Sequence, residues 1–418
     1  MPEERRGLWD EADLVRRLLR ALEVAERALK ALGLEGYADP ENPEVDVRPE
    51  KVISETALLL LAAHRVREPN ARRRVHHLAG LLAPFARGER VRAGICLEPQ
   101  LARDHAFAHT CLSVIGYRDD DLDRLLSASL QDQASSGHER LAHRDLEQEW
   151  LARLQNQHSA LRCEDDRLPA RSMLGTGLDP VGCRRDDIYA FTHALIYFTD
   201  IGSRRHQLPR PVTAIVEEAE SALARCLDDE DYDLGGEVLL TWPLLHQRWT
   251  PTASFGFVVL ATVEDAAGFL PAPIIKVDRY RSLTGEARSR YVLATTYHTA
   301  YVMGLLCACI LGSGCGPDSP LPHSFAGRGA SEALFGLLEQ EGRARHWQAT
   351  FTGLDPSQRE DLAPMLLNMS LRRATRAVDL PAVRSALEIG AAYGLTSTAS
   401  ARRSAALLRR ASNAAVRV

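Results

Sequence analysis

Asp186-Asp-Ile-Tyr-Ala-Phe-Thr-His193-Ala-Leu-Ile-Tyr-Phe-Thr-Asp200 decides how this chain is read. Apolar residues dominate the stretch and no helix breaker interrupts it, so it predicts a buried helix. At ~3.6 residues per turn, Asp186, His193 and Asp200 fall on one stripe of that helix, with Tyr189 and Tyr197 beside it. Burying ionisable groups without partners costs several kcal/mol, so the stripe must be paired or must face a polar cavity. His193 and Asp200, two turns apart, are spaced to contact opposite ends of one small ligand.

Outward from this helix the same period recurs. Leu14-Val-Arg-Arg-Leu-Leu-Arg-Ala-Leu, Val52-Ile-Ser-Glu-Thr-Ala-Leu-Leu-Leu-Leu and Val75-His-His-Leu-Ala-Gly-Leu-Leu repeat apolar residues every three or four positions. Alternating β-branched residues are almost absent. Clusters of Pro, Gly and Asp at 39–49, 165–182, 228–236, 268–273 and 312–322 mark loops between about fourteen helices. Three segments, Ala106-Phe-Ala-His109, Ala190-Phe-Thr-His193 and Thr295-Thr-Tyr-His298, each set a histidine midway along an apolar helix. Such repetition predicts an all-α fold of helical hairpins arranged as an α/α toroid or superhelix, whose inner helices share a cavity. Residues 1–395 then form a single helical body, and 396–418 a basic, solvated C-terminal tail carrying Arg402, Arg403, Arg409, Arg410 and Arg417.

Of 418 residues, 45% are apolar and 26% charged, enough to bury a core and far from a disordered composition. A formal charge of -5 gives no general attraction to nucleic acid or to an anionic membrane. Only three of the 51 basic residues, Lys30, Lys51 and Lys276, are lysine, a bias that fits a GC-rich genome. Met1-Pro-Glu-Glu-Arg-Arg-Gly-Leu-Trp runs into a charged amphipathic stretch, which predicts a cytoplasmic protein. The eight cysteines show no Cys-x-x-Cys spacing and read as small core residues. Tyr291 to Leu311 is free of Asp, Glu, Lys and Arg and long enough to span a bilayer. Its histidine, tyrosines and threonines predict a buried central helix, with no membrane partner.

Arg184-Arg185 precedes the 186–200 helix and Arg204-Arg205 follows it. Guanidinium groups at a helix N-terminus suit an anion. His105-Ala-Phe-Ala-His109 has the i, i+4 spacing of two metal ligands and leaves open a metal-dependent hydrolase or cyclase; the expected state is nonetheless metal-free. Asp119-Asp-Asp-Leu-Asp123 has the spacing of a terpene-cyclase magnesium motif, but its position favours a helix start. Gly312-Ser-Gly-Cys-Gly-Pro317 lacks a phosphate-loop lysine and reads as a C-cap. A non-catalytic scaffold that binds a partner is a further alternative.

Four segments carry a resemblance: Asp187-Ile-Tyr-Ala-Phe-Thr-His193-Ala-Leu-Ile-Tyr-Phe-Thr-Asp200-Ile-Gly202, Trp249-Thr-Pro-Thr-Ala-Ser-Phe-Gly256, Gly268-Phe-Leu-Pro-Ala-Pro273 and Tyr297-His298-Thr-Ala-Tyr-Val-Met-Gly304. They resemble an actinobacterial family of all-helical proteins encoded in natural-product gene clusters. Within it the chain is similar to the large subunit of azinomycin-type aziridine-forming enzymes. The resemblance implies a cofactor-free lyase or cyclase of antibiotic biosynthesis that closes an aziridine by expelling sulfate from a vicinal amino sulfate. It also implies a small partner subunit and a substrate borne on an acidic carrier protein. That chemistry needs a base, an aligned substrate and cations for the departing sulfate. Candidate catalytic residues are therefore His193, Asp200, His298 and Asp186. Candidate substrate-binding residues are Arg184, Arg185, Tyr189, Tyr197, His109, Trp249 and Tyr297.

Overall fold

The protein is described by a computed structural model covering residues 11–33, 36–38, 46–132, 139–155, 167–317, 329–339 and 345–415. The first ten residues, Cys163, Arg417 and parts of the expected loops at 39–49, 165–182 and 312–322 lie outside the described residues.

The fold is all-α. Among the described residues, β pairing is confined to a two-residue antiparallel ladder, Tyr37–Ala38 against Asp46–Val47. The body is organised around the 29-residue Gly285–Ser313 helix. Among the described residues this helix alone is long and apolar enough to cross a membrane, yet most of its apolar length is buried in protein. Helices Glu11–Ala31, Pro49–His64 and Tyr232–Leu239 pack on it from different sides. A helix surrounded in this way needs apolar residues all round, which is why it shows no polar stripe.

Glu11–Ala31 contributes Leu14, Leu18, Ala21, Leu22, Ala25 and Leu29 to the interior, and each fully buried leucine adds about 1.5–3 kcal/mol. A Cβ at Gly304 would lie 2.4 Å from Ala21 Cβ, so the two helices approach almost backbone to backbone. On the same N-terminal helix the wholly buried Arg17 binds Asp13, Glu264 and Asp265, which ties it to the Pro251–Ala267 helix.

One contiguous core runs from Leu14 to Ala401. The C-terminal helix Ala399–Ala415, expected to be a solvated basic tail, packs on Ala363–Arg376 and Leu380–Ala392. Ala401 and Ser404 are buried, Arg402 pairs with Glu217 at 2.9 Å and Arg403 with Asp179 at 2.8 Å. Its small residues let it dock, and Arg402 and Arg403 find acidic partners on the body. The packing gives an all-α body around a central helix; these contacts do not by themselves order the hairpins into a toroid.

The expected loop at 228–236 is largely helical. The Val212–Asp229 helix stops at Glu230, in a left-handed turn with φ 56°, and Asp231 at once caps the Tyr232–Leu239 helix by accepting from Leu234 N at 3.3 Å. Gly235 and Gly236 sit inside this short helix, and at Gly236 the reason is close packing, not a turn. The 102–114 segment breaks into Ala102–His105 and Phe107–Val114. His105 and His109 therefore stand on separate helices.

Candidate functional site

Gly236 positions the site. A Cβ on Gly236 would come within 2.6 Å of Val302 Cγ1, so the Tyr232–Leu239 helix presses directly on the central helix. Asp233 and Glu237, four residues apart, share one face of that helix and are thereby carried to His298. His298 Nε2 lies 3.3 Å from Asp233 Oδ1 and 3.7 Å from Glu237 Oε1. Its Nδ1 lies 3.1 Å from Glu55 Oε2, supplied by the Pro49–His64 helix. The remaining carboxylate oxygens are held by other groups: Arg185 reaches Asp233 Oδ2 at 3.2 Å, and Thr192 donates to Glu237 Oε2 at 2.6 Å.

His193 approaches from the Arg185–Phe198 helix. Its Nδ1 lies 3.0 Å from the Tyr189 carbonyl oxygen, an obligate acceptor, which places the proton on Nδ1 and leaves the Nε2 lone pair free to act as a base. Glu237 Oε2 stands 3.6 Å from the same Nδ1. The Tyr189 ring stacks on the imidazole at 3.8 Å between centroids, and Arg144 donates to the Tyr189 hydroxyl at 3.4 Å. Tyr197 donates to Glu147 Oε1 at 2.7 Å, and Arg144 pairs with Glu147 Oε2 at 2.7 Å.

Glu55, Arg144, Glu147, Tyr189, His193, Tyr197, Glu237 and His298 line a cavity of about 370 Å³, large enough for a small metabolite, with the exposed side chains of Glu50 and Lys51 at its rim. Burial works against a charged His298, but the negative charges of Asp233 and Glu55 and a hydrogen bond with Glu237 outweigh it and raise its pKa well above the ordinary value. Burial likewise opposes ionisation of Glu55, which His298 overcomes, holding it low. Burial pushes Asp233 up to about 6, opposed by His298 and helped by the charge of Glu237. Glu237 is also penalised by burial, yet the charge and hydrogen bond of His298 and the hydroxyl of Thr192 hold it low. Burial lowers His193 against the pull of Glu237, so its imidazole is neutral near pH 7. The cluster thus sets a neutral histidine beside a cationic one, with fixed carboxylates between them, which is a layout suited to moving protons.

Of the expected site residues, His193, His298, Tyr189 and Tyr197 meet at this cavity. Asp200 does not. The helix ends at Phe198 and Asp200 lies in a left-handed turn with φ 48°, where Arg65 Nη2 at 3.1 Å and Trp150 Nε1 at 2.8 Å bind its carboxylate. The straight-helix assumption that aligned it with His193 fails at that turn. Asp186 is exposed in the first turn, and Arg184 is exposed, its backbone N–H donating to Asp187 at 2.7 Å. Arg185 is occupied by Asp231 and Asp233 and braces the cluster rather than offering a free anion site. His109 is buried against Asp123 at 2.8 Å, while His105 pairs with Glu98 at 2.7 Å, so the two do not form a shared metal site. Asp119 is an N-cap that accepts from Leu122 N at 3.0 Å, as its position suggested. Trp249 donates to the Cys315 carbonyl at 3.0 Å and packs on Trp242, away from the cavity. Tyr297 is buried beside Tyr301 and does not line the cavity.

Residues 18–308 match the family described as domain of unknown function DUF6895. The chain belongs to that family. The matched span contains every residue of the histidine and carboxylate cluster. No curated protein and no solved structure matches the chain.

Sequence reasoning missed Glu55, Arg144, Glu147, Asp233 and Glu237. The i, i+4 pair Asp233 and Glu237 was the available signal, but the glycines between them read as a loop. Glu55 lay in plain view in an apolar helix, where an unexplained carboxylate is itself a pointer.

Proposed function

We propose that the chain is an enzyme of natural-product biosynthesis that closes a ring on a small amine-bearing substrate in this cavity, expelling sulfate from a vicinal amino sulfate. The supporting observation is a neutral, partly buried imidazole, His193, facing a cavity walled by the carboxylates Glu55, Glu147 and Glu237. Such a wall attracts a protonated amine. His193 Nε2 takes the ammonium proton and frees the nitrogen lone pair. The C–N bond forms as the C–O bond to sulfate breaks, and sulfate departs with the bonding pair. Arg144, not Arg184 or Arg185, is the guanidinium in the cavity lining that would receive it. Tyr189 and Tyr197 restrict the substrate to a reactive orientation. Cytoplasmic location, a small partner subunit and delivery by an acidic carrier protein belong to the same proposal, and the open rim at Glu50 and Lys51 is where a carrier arm would enter.

Sulfate release from carrier-bound and free vicinal amino sulfates, followed by ion chromatography with and without the product of the neighbouring small gene, tests the reaction. His193→Asn should cut release by about 100-fold or more while the melting temperature moves by only a few degrees. If no amino sulfate gives sulfate above background under any of these conditions, the proposal fails.

A further inference from the structure

Asp233, Glu237 and His298 have a geometry that their proton chemistry does not require. Each carboxylate has one oxygen held by a neighbour, Asp233 Oδ2 by Arg185 and Glu237 Oε2 by Thr192. The other oxygen of each faces His298 Nε2, and the three ligand atoms lie within 4.8 Å of one another. Asp233 Oδ1 is buried and makes no well-formed hydrogen bond; its contact is the 3.3 Å ion pair with His298 Nε2, which leaves the oxygen able to take a further ligand. On the far side of the imidazole, Glu55 stands 3.1 Å from Nδ1. As an ion pair at that distance, Glu55 is placed to orient a metal-binding imidazole and to favour a proton on its outer nitrogen.

We infer that Asp233, Glu237 and His298 bind one divalent transition cation of the Zn²⁺, Mn²⁺ or Fe²⁺ class, with Glu55 orienting His298. One nitrogen and two carboxylate oxygens suit borderline to hard divalent ions, and the lack of a sulfur ligand disfavours softer ones. Ligands each about 2.1 Å from an ion stand about 3.0–3.4 Å apart. The separations of 3.3 and 3.7 Å from His298 Nε2 therefore need a contraction of only a few tenths of an ångström, and the two carboxylate oxygens, within 4.8 Å of each other, close on the ion by side-chain rotation. The cation takes the place of the proton that His298 otherwise holds at Nε2. Three protein ligands leave coordination positions open, and because Glu237 and His298 line the cavity, those positions face the space where a substrate sits. The site is distinct from the His105 and His109 pair. It does not depend on ring closure being the reaction.

The test is direct binding of ZnCl₂ and MnCl₂ to the full chain after dialysis against chelator, by titration calorimetry at pH 7.5. One site per chain is expected, with micromolar or tighter affinity for at least one ion. Asp233→Asn, Glu237→Gln and His298→Ala should each weaken it about 100-fold or more, and Glu55→Gln about 10- to 100-fold. His105→Ala should change nothing. Far-UV circular dichroism checks that each variant is folded. X-ray absorption of the zinc-loaded wild type supplies a readout that needs no variant: oxygen ligands with one imidazole are expected, whereas sulfur or several imidazoles would overturn the assignment. Failure of both ions to bind the wild type more tightly than about 1 mM would overturn it as well. So would undiminished binding in the folded Asp233, Glu237 and His298 variants. Metal binding without sulfate release would leave this site standing and remove the ring-closure proposal; sulfate release without metal binding would do the reverse.

Discussion

Replacing Arg17 by methionine tests how the N-terminal helix is held to the body. The side chain is 0% exposed and its guanidinium meets Asp13 at 2.9 Å, Asp265 at 2.6 Å and the nearly buried Glu264. Methionine fills much of the same volume, so the change removes charge and hydrogen bonds more than packing. Asp13 and Asp265 retain access to solvent and recover hydration at little cost. Glu264, only 4% exposed, does not. Breaking a buried pair so that one charge is stranded costs about 3–5 kcal/mol. Arg20 remains 3.7 Å from Glu264 and compensates in part, which places the loss near the lower end, about 3 kcal/mol. The double variant Arg17→Met with Glu264→Gln removes the stranded charge and should lose only about 1 kcal/mol, a coupling of about 2 kcal/mol. Urea unfolding followed by far-UV circular dichroism at pH 7 measures all three proteins together with wild type. A single-variant loss below about 1 kcal/mol, or a double variant no better than the single, would refute the stranded-charge argument.

Asp200→Asn keeps the acceptor for Trp150 and tolerates the left-handed turn but loses its charge toward Arg65, so stability should fall by about 1–2 kcal/mol while turnover per folded molecule stays unchanged. A melting curve paired with active-site titration separates the two effects, and a large loss of turnover would return Asp200 to the site. Glu220 is pushed up to about 7 from its ordinary 4.5, chiefly by burial and also by Glu217, against the hydroxyls of Thr250 and Thr252. Because the folded state holds this proton more tightly than the unfolded chain, its stabilising effect is complete below pH 4.5 and is lost as pH rises through 7. Glu220→Gln should therefore gain melting temperature over wild type progressively from pH 5 to pH 8; a gap that stays flat or narrows would contradict the assigned shift.

The helical class was legible because an apolar period of three to four residues needs only local chemistry to produce a buried face, as Leu14, Leu18 and Leu22 show. His193, His298, Tyr189 and Tyr197 were legible for a related reason: polar groups inside apolar helices must face a partner or a cavity, and all four do. Asp200 was misplaced because extrapolating a helical stripe assumes that the helix continues, and a turn two residues past Phe198 rotated its carboxylate toward Arg65. Glu237 and Asp233 were hidden by Gly235 and Gly236, of which Gly236 serves by the absence of a side chain at a helix crossing.

The sequence by itself thus determined that the chain is helical, that its most apolar helix is central, and that histidine and tyrosine from two inner helices face one interior site. Only the tertiary structure decided which carboxylates join them. Glu55, Glu237 and His298 are far apart along the chain, and their meeting depends on how closely three helices approach one another. Periodicity reports which face of a helix is buried; it carries no information on the crossing distance that sets a carboxylate 3 to 4 Å from an imidazole.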